Sequence, residues 1–166
     1  MEESSSELSQ IADFFKKYDL QISQIIPEKE SAEYCACDFK INDFNIKFRK
    51  SKITPTKVGQ FVTVWKRIEN GTIAPFENTD FIDFLIVCSK NDANFGYFIF
   101  PKKVLVQQGI FTEIKEGKRA FRVYPPWDIA VNNQAVKTQR WQLEYFYNFG
   151  EDSENSKLLS YFDFKK

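Results

Sequence analysis

Residues 81–88 read FIDFLIVC, apolar at every position except Asp83. No alternation leaves one side of this run to water, so it predicts a strand covered on both faces. Asn91 to Asn94 supplies turn residues, and residues 95–100, FGYFIF, predict a second strand stopped by Pro101. Working back, residues 34–41 alternate, with Cys35, Cys37, Phe39 and Ile41 on one face. Asn42-Asp43 is a tight-turn signal, and residues 45–49 return as the hairpin partner. Residues 59–67 predict a further strand, with Phe61, Thr63 and Trp65 facing away from Gln60, Val62, Val64 and Lys66, and Asn70-Gly71 closing it. Residues 119–124 predict one more strand, ended by Pro125-Pro126.

Helices are expected at both ends. Ser4 and Glu7 have capping-box spacing, and Leu8, Ile11, Phe15 and Tyr18 recur at helical intervals with Phe14 beside them, so residues 5–18 predict an amphipathic helix. Pro27 ends any continuation. Residues 102–108 suit a short helix. Asn132 or Asn133 caps a longer one, in which Thr138, Trp141, Gln142, Tyr145 and Phe149 repeat on one side. Residues 150–156 read as a polar loop and residues 158–164 as a last short element. The expected fold is α+β: a mixed central sheet flanked by an N-terminal and a C-terminal helix, in a single domain of residues 1–166.

Composition narrows the function classes. The 166 residues hold 23 basic and 23 acidic side chains and no histidine. Lacking histidine, the chain has neither the commonest metal ligand nor the usual proton shuttle near neutral pH, and Ser-His and Cys-His catalysis are excluded. Cys35, Cys37 and Cys88 lack CxxC spacing, and their odd count suits a reduced, cytoplasmic setting. The opening MEESSSELSQ is acidic and serine-rich, unlike a secretory or transit peptide, and no window resembles a membrane span. No phosphate-cradling glycine loop is present, and the sequence calls for no cofactor or metal. Aromatics make up 17% of the chain, 18 of them Phe, which an aromatic-rich sheet core explains.

Charge is distributed unevenly. Residues 44–68 carry Lys47, Arg49, Lys50, Lys52, Lys57, Lys66 and Arg67 and no acid. Acids are concentrated earlier, at Glu2, Glu3, Glu7, Asp13, Asp19, Glu28, Glu30 and Glu33. Within the basic run, Thr54-Pro55-Thr56-Lys57 forms a rigid kink presenting hydroxyls and an ammonium, the groups that position a phosphate. Lys47 and Arg49 share one strand face and Lys50 the other, so the cations cannot all serve one ligand. A charged strand edge that discourages aggregation is the alternative reading. A second basic group, Lys102, Lys103, Lys115, Lys118, Arg119 and Arg122, is diluted by Glu113 and Glu116. Arg122 stands out because it lies inside a strand between Phe121 and Val123, where a cation needs a carboxylate or a ligand anion.

Acid-x-Lys, the spacing of many metal-dependent nucleases, occurs at Asp38, Glu113, Glu116 and Asp163. In so charged a chain that spacing carries little information. Asp38 and Lys40, with Glu30 or Glu33 and Asp83, form the one set that could be assembled.

The segments KITPTKVGQFVTVWKR, FGYFIFPK, GKRAFRVYPPW and AVKTQRWQLEYF resemble the MepB family of small bacterial proteins, over residues 34–146. The resemblance implies a fold akin to restriction-endonuclease-like domains and no established activity. It adds nucleic-acid binding as an expectation more than cleavage. The expected ligand is phosphate-bearing, a nucleic acid or nucleotide, held by Lys52, Thr54, Thr56, Lys57, Gln60, Trp65, Lys66, Arg67, Lys118, Arg119, Arg122, Gln139 and Gln142. The alternatives are a divergent metal-dependent nuclease or other enzyme, or a protein-interaction module. No catalytic residue is assigned.

Overall fold

A computed structural model describes residues 2–148 and 156–162, with side chains from residue 6 to 148 and 158 to 162. In chain order its elements are α1 (Glu2–Lys16), β1 (Ile22–Pro27), a single 3-10 turn (Ala32–Tyr34), β2 (Cys37–Ile41), β3 (Phe44–Lys50), β4 (Lys52–Ile53), β5 (Gln60–Thr63), β6 (Trp65–Arg67), β7 (Ile73–Pro75), β8 (Phe84–Lys90), β9 (Phe95–Pro101), α2 (Lys102–Gln107), β10 (Ala120–Val123), α3 (Asn133–Gln142), a second 3-10 turn (Leu143–Tyr145), β11 (Phe146–Tyr147) and α4 (Ser156–Phe162).

The fold is α+β around a mixed six-stranded sheet ordered β1-β2-β3-β8-β9-β11. β3 and β8 run parallel and the other neighbours antiparallel. The apolar run of residues 81–88 explains the layering. Phe84, Ile86 and Cys88 enter a core with Ile11, Phe15, Leu158 and Phe162 of α1 and α4, while Leu85 and Val87 enter a second core with Val62, Val64, Leu105, Phe121 and Val123. β8 is thus covered on both faces as expected, and each face has its own aromatic packing, such as Phe84 against Phe162 and Phe100 against Trp141. The second face is covered by a three-stranded sheet, β10-β5-β4, together with α2 and α3.

Several elements depart from the sequence expectation. Ser4 is no N-cap, because α1 already begins at Glu2. Glu7 is a buried tether instead: its carboxylate reaches Lys90 at 2.7 Å and Lys50 at 3.4 Å, and its carbonyl accepts from the Tyr97 hydroxyl at 2.8 Å. Burial alone would raise this carboxyl, but the hydrogen bond from Lys90, a local backbone bond and the Lys50 and Lys90 ammoniums hold it below its ordinary value. Residues 34–36 are not strand, since the 3-10 turn and a left-handed Cys35 (φ 51°) precede β2, so Cys35 and Cys37 do not share a strand face. Residues 59–67 split into β5 and β6, which pair in different sheets. β1 was not expected, Pro27 having been read only as ending any continuation of the first helix; it is an edge strand paired with β2 through a register shift. The last long helix stops at Gln142, and β11 follows with Phe146 opposite Phe98. Phe149 and the loop of residues 150–155 lie outside the described residues.

Candidate anion-binding face

The three-stranded sheet turns Val62, Phe121 and Val123 inward, so Phe61 and Arg122 project from its other side. Register places Lys52 opposite Phe61 and Phe61 opposite Arg122, giving a cation–aromatic–cation row across three strands. The Arg122 guanidinium lies 5.9 Å from the Phe61 centroid, and the Lys52 ammonium 5.0 Å from that of Tyr34, whose ring is 6.3 Å from Phe61. Such contacts suit a cation over an aromatic face.

Arg122 also organises the kink of residues 54–59. Its Nη2 donates to the Thr54 hydroxyl at 2.7 Å, and its Nη1 donates to the carbonyls of Val58 and Gly59 at 3.4 and 3.3 Å. All three acceptors are neutral, and no carboxylate among the described residues contacts this half-buried cation. A guanidinium has five N–H donors, so part of its capacity finds no acceptor among the described residues. Lys57, exposed within the same kink, also has no acidic partner among the described residues. It borders an open groove with Ile53, Asn91, Trp127, Asp128, Ile129 and Val131. Asp128 is the acid of that groove; burial raises its carboxyl, against a lowering hydrogen bond from the Gly59 backbone.

The structure brings Lys52, Thr54 and Arg122 onto one face, with Lys57 on the adjoining loop; Thr56 is exposed in that loop. The other expected site residues lie elsewhere. Gln60 is buried, accepting from Ser51 Oγ at 2.7 Å and donating to the Lys90 carbonyl at 3.2 Å, which joins β5 to the main sheet. Gln142 is wholly buried: its Oε1 accepts from Tyr124 N at 2.8 Å and its Nε2 donates to the Arg122 carbonyl at 2.9 Å. Gln139 donates to the carbonyls of Pro125 at 3.0 Å and Asp128 at 2.8 Å. Gln139 and Gln142 of α3 therefore satisfy the backbone beside β10, and Gln142 holds the Arg122 backbone from behind.

Lys66 pairs with Glu77 at 2.8 Å and Asp80 at 2.9 Å, and Arg67 pairs with Glu30 at 2.6 Å while its guanidinium lies 5.5 Å from the Trp65 centroid. Arg119 pairs with Glu116 at 3.2 Å. Lys118 lines a polar cleft of about 410 Å³ between β10 and α3 that Arg122 and Gln142 also border, and whose lining contains no acid.

The basic run is thus largely neutralised, and sequence reasoning missed by what. Glu7, Glu28, Glu30 and Glu33 come from the acidic segment preceding it, Asp38 from the adjoining strand, and Glu77 and Asp80, on Lys66, from the segment after it. Arg49 is 1% exposed and paired with Glu28, Lys47 pairs with Asp38 at 2.8 Å, and Lys52 pairs with Glu33 at 2.9 Å. The separation of acids before residue 34 from cations after residue 44 was the available signal. Only register could match the partners.

The acids weighed for a metal site are dispersed among these contacts. Asp38 is on Lys47, Glu30 on Arg67 and Glu33 on Lys52, while Asp83 accepts from Asn45 N at 2.7 Å. Among the described residues no three such groups are placed to hold a metal ion. Trp65, Trp127 and Trp141 are all half-buried. No helix among the described residues is long and apolar enough to cross a membrane.

Residues 28–148 match the family model described as MepB-like. A crystal structure of MepB is similar at 38% sequence identity and a TM-score of 0.76, over 79% of this chain and 89% of that one. No curated protein matches.

Proposed function

The chain belongs to the MepB-like family, and on that footing we propose that it binds a phosphate-bearing ligand, nucleic acid or nucleotide, on the face formed by Lys52, Thr54, Lys57 and Arg122. The observation that carries this reading is the state of Arg122. Its guanidinium is held by a hydroxyl and two carbonyls, and its charge is opposed by no carboxylate among the described residues. A cation fixed in this way offers a phosphate an oriented donor set without first having to order a long side chain. Phe61, half-buried between Lys52 and Arg122, adds a ring face beside it, a combination of cation and aromatic that proteins use for single-stranded nucleic acid.

Fluorescence anisotropy with a labelled single-stranded oligonucleotide tests the proposal. Binding should appear at low salt and weaken as salt rises. Lys57→Ala should reduce the slope of log affinity against log salt by about 0.7, the counterion contribution of one single-strand phosphate contact. Undetectable binding at low salt, or binding indifferent to salt, overturns the reading.

A further inference from the structure

The loop joining β1 to β2, residues 28–36, lies over the cationic face. Its neck is closed by the Pro27–Cys37 register pair and by Glu28 N donating to the Ala36 carbonyl at 2.9 Å. The backbone bonds of residues 31–34 stay within the loop: Ser31 O accepts from Tyr34 N at 2.9 Å and from Ala36 N at 3.4 Å, and Ala32 O accepts from Cys35 N at 3.0 Å. It reaches the face below through side chains. Glu30 sits on Arg67, the Ser31 hydroxyl meets that of Thr63 at 3.0 Å, Glu33 sits on Lys52, and Tyr34 packs against Phe61.

These attachments fall into two grades. Glu28 at the neck, bound to the fully buried Arg49, and Tyr34, buried against Phe61, belong to the framework. Glu30–Arg67 and Glu33–Lys52 are rim pairs, with side chains 41–46% and 42–65% exposed. Exposed pairs are weak and screened by salt. Ser31 (φ 59°) and Cys35 (φ 51°), at the two ends of the 3-10 turn, are left-handed non-glycine residues, a conformation held only while its surroundings enforce it. The loop therefore puts two carboxylates where phosphates would lie, each held there by an exposed ion pair.

We propose that this loop is a built-in anionic competitor: Glu30 and Glu33 occupy Arg67 and Lys52 in the unliganded protein, and a phosphate-bearing strand displaces residues 29–33 to use those cations, with Tyr34 remaining as the buried anchor. The proposal rests on the anion-binding reading above and specifies how that face is regulated. It also assigns Arg67 and Lys52 to the liganded state while Arg122 serves both states.

The test uses the same labelled single strand on the full chain. Glu30→Gln/Glu33→Gln should bind at least fivefold more tightly than wild type at low salt. Its log–log salt slope should be steeper by about 1.4, two cations at about 0.7 each. Asp13→Asn/Asp19→Asn removes the same charge from exposed positions at the end of α1, away from this face, and should stay within twofold of wild type. In a Cys35→Ser background, Ser31→Cys/Thr63→Cys places two thiols where the hydroxyls now touch. The oxidised protein, its loop fastened, should bind at least fivefold more weakly than the same protein reduced, with thermal melting confirming the fold of each variant. Wild-type binding that neither loop neutralisation nor the lock changes overturns the competitor and leaves the anion-binding reading standing. Equal gains in both neutralised variants also overturn the competitor, since net charge then accounts for the effect. No binding by wild type, neutralised or reduced protein overturns both.

Discussion

Arg122 was legible as an anomaly, a cation between two apolar strand residues, but its partners were not. Thr54 and the Val58 and Gly59 carbonyls lie more than 60 positions away in sequence and meet it only because β5 pairs with β10. Lysine cannot replace it, because one ammonium does not reproduce a planar fork spanning three acceptors. Arg122→Lys should therefore speed amide hydrogen exchange through residues 57–60 and weaken oligonucleotide binding about tenfold, the cost of roughly one good charge-assisted contact. The cysteines give a second measurement at this scale. Burial, with Asp38 and Glu28 nearby, pushes the Cys37 thiol up to about 12, and burial pushes Cys88 up as well, whereas Cys35 is half-buried in the loop. Iodoacetamide on the native protein should label Cys35 first and leave Cys37 and Cys88 until unfolding, as peptide mass spectrometry would report.

Among elements, the kink of residues 54–59 was recognised as the centre of the basic run, and its end depends on Gly59. With φ at +84°, Gly59 occupies the left-handed region, and an added Cβ would lie 2.7 Å from the Tyr124 ring and 3.0 Å from the Val123 carbonyl. Gly59→Ala meets strain and a close contact together, so it should cost about 2 kcal/mol, seen as a lower urea midpoint at unchanged m. β5 and β6 show why element boundaries were harder to read. Alternation runs unbroken from Gln60 to Lys66, yet the backbone N–H of Val64 goes to Arg119 O while Trp65 pairs with Pro75, so partners, not propensity, divide the strand. α3 was expected from its apolar spacing, but its Gln139 and Gln142, which looked like ligand contacts, bond the backbone beside β10.

For the molecule as a whole, Glu7 links α1 to β3 and β8 through Lys50 and Lys90. Glu7→Gln should lower stability by about 2 kcal/mol, less than for fully buried pairs because Lys90 reaches solvent. The pH dependence has a definite sign. A carboxyl held below its ordinary 4.5 contributes fully at neutral pH, and the contribution fades as pH falls through the depressed value. The wild-type advantage over Glu7→Gln in urea midpoint should accordingly hold down to about pH 5 and narrow below that. An advantage that grew on acidification would contradict the pairing.

The sequence alone determined the α+β class, the doubly covered strand of residues 81–88, most of the turns and the family, because these rest on local periodicity, turn residues and contiguous motifs. It also showed acids gathered before residue 34 and cations after residue 44. Tertiary structure decided what those charges do. Glu28, Glu30 and Glu33 meet Arg49 of the main sheet, Arg67 of the β6-β7 pair and Lys52 of the three-stranded sheet only once the hairpin loop folds across them, and among the described residues Arg122 is left without a carboxylate. Composition records how much charge a segment carries, whereas whether a charge is balanced depends on which residue lies within a few ångströms of it.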